Sequence, residues 1–138
     1  MKRALVWIAW TAFVLAWFLP VIHDGVTLPE GLPGWEAFMV AASVLMPSDD
    51  ADPWWSRVLP ALSAGTNLLA IAAPWLSRHP GERSRLLLVP AFAAAFVVNS
   101  YWCFTGAGEL LVGYYVWWLS FAGLALAIWL SARRAPAR

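Results

Sequence analysis

Four stretches of this chain, residues 4–20, 57–76, 86–104 and 110–130, each run for 17 to 21 residues without an Asp, Glu, Lys or His. Arg57, at the very edge of the second, is their single arginine. About 17–25 residues of helix cross the roughly 30 Å of hydrocarbon in a bilayer. A backbone in lipid must also satisfy its own N–H and C=O groups, which a helix does and an open strand does not. These stretches predict an all-α membrane protein, a four-transmembrane-helix bundle formed by residues 1–138 as one integral membrane domain. Composition agrees: the chain is 62% hydrophobic and only 12% charged, more apolar surface than a core of 138 residues can hide.

A fifth apolar stretch, residues 34–46 (GWEAFMVAASVLM), is too short to cross and carries Glu36. It is expected as a short interfacial or re-entrant helix in the first loop, residues 21–56. The charges test this count. With four crossings, Lys2, Arg3, Arg78, Arg83, Arg85, Arg133, Arg134 and Arg138 share one side with Glu82 alone. Asp24, Glu30, Glu36, Asp49, Asp50, Asp52 and Glu109 share the other with Arg57. The two sides carry +7 and −6. Lys/Arg bias sets orientation, so both termini are expected in the cytoplasm and the acidic loop outside. A crossing by residues 34–46 would carry Arg78, Arg83 and Arg85 outside, against that bias.

The N-terminus, MKRALVWIAWTAFVLAWFLP, begins like a signal peptide. Its apolar run is long and Trp-rich, and VIHDGVTLPEG brings no small-x-small cleavage site, so it reads as a retained first span. Pro20 closes that span. Asp52-Pro53 has the pattern of an N-cap followed by proline at the first helical position, opening an interfacial turn into the second span. SRHPGERSR (residues 77–85) reads as a basic inner loop, and TGAGE (residues 105–109) as a tight outer turn between the last two spans.

Helices in lipid meet through small residues and polar bonds, because the tails are as apolar as leucine. Ala61 and Gly65, Ala91 and Ala95, and Gly123 and Ala127 repeat at four-residue spacing, with Ala12 and Ala16 at matching depth in the first span. They predict a close-packed layer near the midplane. Ser63, Thr66 and Asn67 share one face of the second span, and counting from the outer ends places Asn99 beside Ser63. These side chains are expected to point inward and bond between helices, as structural contacts or as part of a ligand site.

Chemistry has few candidates. The spans hold no internal ionisable group of the kind that pumps, proton-coupled transporters and voltage sensors require. His23 and His79 fall on opposite sides, and Cys103 is the one cysteine, so no internal disulfide or multi-cysteine zinc site forms and no cofactor or metal is expected. Asp49, Asp50 and Asp52 have oxygen ligands for a hard cation but lack the longer calcium-loop pattern with its closing glutamate. No G-x-S-x-G elbow or nucleophile with a base beside it occurs. The near-neutral charge of +1 indicates no nucleic-acid partner.

The aromatics are lopsided. Trp17, Trp35, Trp54, Trp55, Trp102, Trp117 and Trp118, with Tyr101, Tyr114 and Tyr115, fall near the outer boundary, leaving Trp7, Trp10, Trp75 and Trp129 for the inner half. Belts of Trp and Tyr anchor helices at headgroup level. Beside carboxylates they also attract cationic groups, and they serve as interface anchors. The surface of Trp35, Asp49, Asp50, Asp52, Trp54, Trp55, Trp102, Trp117 and Trp118 is therefore a candidate to anchor the bundle, to dock a partner, or to bind a small ligand.

Phe18-Leu19-Pro20, Gly34-Trp35-Glu36-Ala37-Phe38, Asn67 and Gly113-Tyr114-Tyr115-Val116-Trp117 together resemble a pattern of small, mostly uncharacterised four-span bacterial inner-membrane proteins. Asn67 is followed here by Leu68 where the pattern has proline. The resemblance implies fold and an inner-membrane location, and brings no catalytic residues. The functional expectation is a non-enzymatic accessory protein that docks another membrane or extracytoplasmic protein, or itself, through its acidic, Trp-rich outer face. The alternative is an outer-leaflet binding protein for a lipid-like or cationic small molecule.

Overall fold

The computed structural model describes residues 2–23, 31–43, 54–77, 82–106 and 108–132. They form α1 (Lys2–Ala16), β1 (Pro20–Ile22), β2 (Leu32–Pro33), α2 (Gly34–Ser43), α3 (Trp54–Leu76), α4 (Glu82–Thr105) and α5 (Val112–Ala132). Among the described residues, three helices are long and apolar enough to cross a membrane, over Arg57–Leu76, Leu86–Thr105 and Val112–Ser131. The apolar part of α1, Ala4–Ala16, is shorter than the expected span of residues 4–20. The reason is local. The N–H groups of Trp17, Phe18 and Leu19 turn back to the carbonyls of Val14, Leu15 and Ala16, which tightens the last turn. Pro20 then has no N–H to continue the helix and opens a strand instead.

That strand is the element the sequence did not announce. β1 pairs antiparallel with β2 (Pro20 with Pro33, Ile22 with Leu32), and its other edge takes an isolated bridge from Ile22 to Leu110. The N–H of Leu111 reaches Val21 O at 2.9 Å, and that of His23 reaches Glu109 O at 2.7 Å. This pairing also explains why the last helix begins at Val112 rather than at residue 110: the backbone of Leu110 and Leu111 is already engaged by β1. At Gly31, φ is +80° and an added Cβ would lie 2.5 Å from Leu111 Cδ1, so this turn into β2 requires glycine.

α5 packs against α1 and α4, α3 touches both α4 and α1, and so the four long helices close into a ring. Phe13 of α1, Phe92 of α4, and Phe121 and Leu124 of α5 fill its centre, joined by Ala70 and Ala73 of α3. Phe13 and Phe121 meet edge to face at 6.1 Å, the preferred geometry of ring quadrupoles. Ile8, Leu68, Leu86, Leu87, Val97, Phe104 and Leu119 face outward, which suits a lipid environment.

Part of the small-residue layer forms. Ala16, Ala95 and Ala127 are buried, and a Cβ at Gly123 would come within 3.2 Å of Ala9 Cβ, so α1 and α5 approach closely there. Gly65 is not in that layer: nothing lies within 4 Å of its Cβ position. Residue 65 is about 200° around the helix from residue 63, and α3 buries Ser63, Ala64 and Asn67 instead.

Candidate functional site

The end of the ring that carries β1 is roofed by α2, and the roof is attached by its backbone. The first N–H groups of a helix lack intrahelical acceptors, and the last carbonyls lack donors. Here each group supplies the other: Gly34 N–H donates to Leu19 O at 3.1 Å and Trp35 N–H to Trp17 O at 3.0 Å. The fit requires a bare backbone at Gly34, since a Cβ there would sit 2.5 Å from Ala16 O. The Trp17 ring stacks on Phe38 at 5.4 Å, adding a side-chain contact between the end of α1 and α2.

Below α2 lies a cavity of about 270 Å³, open on one side. This volume is near the lower end of small-molecule sites, which run from about 300 to 1,000 Å³. Ala37, Phe38 and Ala41 form the roof, Trp17 and Val21 one wall, and Pro60 and Trp102 another. Ser63 and Asn67 of α3 with Tyr114 and Trp117 of α5 make the polar part of the lining. Among the described residues, no Asp, Glu, His, Lys or Arg lines it.

The polar lining belongs to a connected network. Ser63 Oγ donates to Asn99 Oδ1 at 2.7 Å. Asn99 Nδ2 donates to Thr66 Oγ1 at 3.1 Å and to Ala95 O at 2.8 Å. Thr66 Oγ1 donates to Ser63 O at 2.6 Å. Trp117 Nε1 donates to Asn67 Oδ1 at 2.8 Å, and Asn67 Nδ2 donates to Ser63 O at 3.2 Å. The Tyr114 hydroxyl donates to the carbonyl of Asn99. Three helices, α3, α4 and α5, are thereby tied at one depth. Asn99 is fully buried, and an amide there is tolerated because its carbonyl and both its N–H groups are engaged.

The expected site residues separate into three groups. Ser63, Asn67, Trp102 and Trp117 meet at the cavity, and Thr66 and Asn99 stand directly behind its polar lining. Trp35 and Trp118 do not join them. Trp35 is exposed on α2, while Trp118 stacks on Phe96 at 4.4 Å and donates to Phe96 O and Ser100 Oγ at the α4–α5 interface. Asp49, Asp50 and Asp52 lie outside the described residues, as do the side chains of Trp54 and Trp55. Among the described residues, no group of three His, Cys, Asp or Glu side chains is placed to hold a metal.

Ala37 and Ala41 were not singled out from the sequence. Their signal was present: with Phe38 they form a small, apolar face on a helix too short to cross. Tyr114 and Trp17 were read as belt aromatics, and what makes them cavity walls is the fold of β1 and α2 around them.

Comparisons with protein-family models, with curated proteins and with solved structures find no match to this chain.

Proposed function

We propose that the chain is a four-span inner-membrane protein with both termini in the cytoplasm, and that it binds a lipid-like small molecule non-covalently in the cavity under α2. The observation that carries this reading is the cavity: apolar walls converge on a few buried, oriented polar groups, and among the described lining residues tyrosine is the one ionisable side chain. Such a lining positions and desolvates a ligand, and it supplies no acid–base pair or nucleophile for a reaction.

Two facts support a fourth crossing by the first segment. The 13 residues Ala4–Ala16 of α1 rise about 20 Å at 1.5 Å each, and the three of β1 add about 10 Å. Together they match the roughly 30 Å of hydrocarbon. The strand portion has ladder partners on both edges, as backbone at membrane depth must.

Native mass spectrometry of the full chain, released from mild detergent, tests the reading. The wild type is expected to retain a small amphiphile, and Ala41→Trp, which fills the cavity from its roof, is expected to lose it while staying folded. A wild type that neither retains nor rebinds any amphiphile would refute cavity binding.

A second reading, docking of another membrane or extracytoplasmic protein, is favoured by the outward face of α2, where Trp35 and Met39 are exposed one turn apart. It predicts a co-purifying protein that Trp35→Ala releases and Ala41→Trp leaves in place.

A further inference from the structure

We infer that the ligand of this cavity carries a neutral hydroxyl head, as in a long-chain alcohol, and that the site discriminates against carboxylate, phosphate and ammonium heads of the same chain length. This inference rests on the proposed cavity-binding reading and follows from the direction of each hydrogen bond. An indole N–H can only donate, and a backbone carbonyl can only accept. Trp117 Nε1 therefore fixes Oδ1 as the Asn67 atom facing it, at 2.8 Å. The carbonyl of Ala95 fixes Nδ2 as the Asn99 atom facing it, which leaves Asn99 Oδ1 toward Ser63. The hydroxyl hydrogen of Ser63 must then point to Asn99. The hydrogen of Tyr114 is held in the same way by the Asn99 carbonyl.

Both hydroxyl hydrogens in the lining are thus engaged inside the protein. The capacity left is mainly lone pairs, on Ser63 Oγ, Asn67 Oδ1 and Tyr114 Oη, which also meets the Cys103 thiol, with one N–H of Asn67 as the remaining donor. A hydroxyl head matches that set, because it donates to a lone pair and accepts from the amide. Carboxylate and phosphate heads bring acceptors to a lining that offers mainly acceptors, with no Lys, Arg or His among its described residues to balance the charge. An ammonium head brings donors but finds no carboxylate among the described lining residues. The apolar walls, Trp17, Phe38 and Trp102 among them, suit the chain that follows the head. Val40 lines the cavity and is also largely exposed, so the chain can leave beside α2.

The test uses the full chain in phosphatidylcholine nanodiscs. Dodecanol, dodecanoate and dodecylammonium, each with a photoreactive diazirine at the chain end, are crosslinked, and the labelled peptides are mapped by mass spectrometry. Dodecanol is expected to label α2 or α3 at concentrations about tenfold lower than the other two, since a site built for hydrogen bonding rejects a head that cannot complete it. Tyr114→Phe and, separately, Ser63→Ala each remove a lone pair without emptying the cavity. Each is expected to reduce the alcohol preference while apolar labelling of α2 persists. Equal labelling by the three probes, or a preference for an ionised one, would overturn the headgroup assignment and leave cavity binding standing. Absence of cavity labelling by any probe, in a protein that unfolds cooperatively like the wild type, would overturn both.

Discussion

The indole N–H of Trp117 donates to Asn67 Oδ1 across 2.8 Å, tying α5 to α3 beside the cavity. Replacing Asn67 by leucine leaves that indole donor without its acceptor and removes the bond to Ser63 O. Stranding a fully buried donor costs about 1–3 kcal/mol, and this part-buried indole is expected at the lower end. The pairwise coupling itself is expected near the ~0.6 kcal/mol average for bonds between membrane helices. A double-mutant cycle of Asn67→Leu with Trp117→Phe, read by thermal unfolding in detergent, measures it. A coupling of zero would mean that the bond contributes nothing to helix association.

Asn99 and Ser120 are both buried polar residues, yet they should respond differently. Asn99 bonds to Ser63, Thr66 and Ala95, whereas among the described residues the Ser120 hydroxyl bonds to Trp117 O of its own helix alone. Asn99→Ala is expected to lower stability by about 2 kcal/mol or more, because it strands the groups it joined. Ser120→Ala is expected to stay within about 0.5 kcal/mol. Equal losses in the same unfolding assay would contradict the network.

Trp10 presents the opposite case. Its Nε1 is buried without a partner, while its ring meets Trp7 edge to face at 5.4 Å. Trp10→Phe removes an unpaired donor and keeps an aromatic ring. The expected change is within about 1 kcal/mol of the wild type, against about 3–5 kcal/mol for truncation of a large aromatic to alanine. Unfolding curves of Trp10→Phe and Trp10→Ala check the ordering.

Glycines 113 and 65 should separate sharply. A Cβ on Gly113 would sit 2.6 Å from Pro20 O and 2.8 Å from Leu19 Cβ, so Gly113→Ala forces β1 away from α5 at a cost of about 1–3 kcal/mol. Gly65 has open space, and alanine there gains up to about 1 kcal/mol of helix propensity. A destabilised Gly65→Ala would show that α3 is packed differently.

Topology is tested with the single native thiol removed. On a Cys103→Ser background, cysteine placed at Gly108, in the turn before α5, is expected to react with a membrane-impermeant maleimide in intact cells. Cysteine placed at Ser77, after α3, is expected to react only after lysis. The reverse pattern would invert the proposed orientation.

The long apolar helices were legible in the sequence, because a run of about 20 uncharged residues has few ways to satisfy its backbone in lipid except as a helix. The polar contacts were partly legible as well. Ser63, Thr66 and Asn67 fall on one face by helical periodicity alone, and depth counting placed Asn99 near Ser63, where a 2.7 Å bond joins them. Gly65 was misread for a physical reason: four-residue spacing identifies a shared face but does not say which face a neighbour will cover.

By itself, then, the sequence predicted four long apolar spans, of which three stand as long apolar helices, a short helix after the first segment, and a handful of polar residues that must find partners within the protein. Only the tertiary structure decided that Pro20–Ile22 pairs with Leu32–Pro33 and Leu110, that α2 is joined end to end with α1, and that a cavity remains beneath it. The difference is one of range. Periodicity and hydropathy record what each residue needs from the segment around it, whereas a two-residue strand and an unfilled volume arise from groups far apart in the chain and leave almost no local trace.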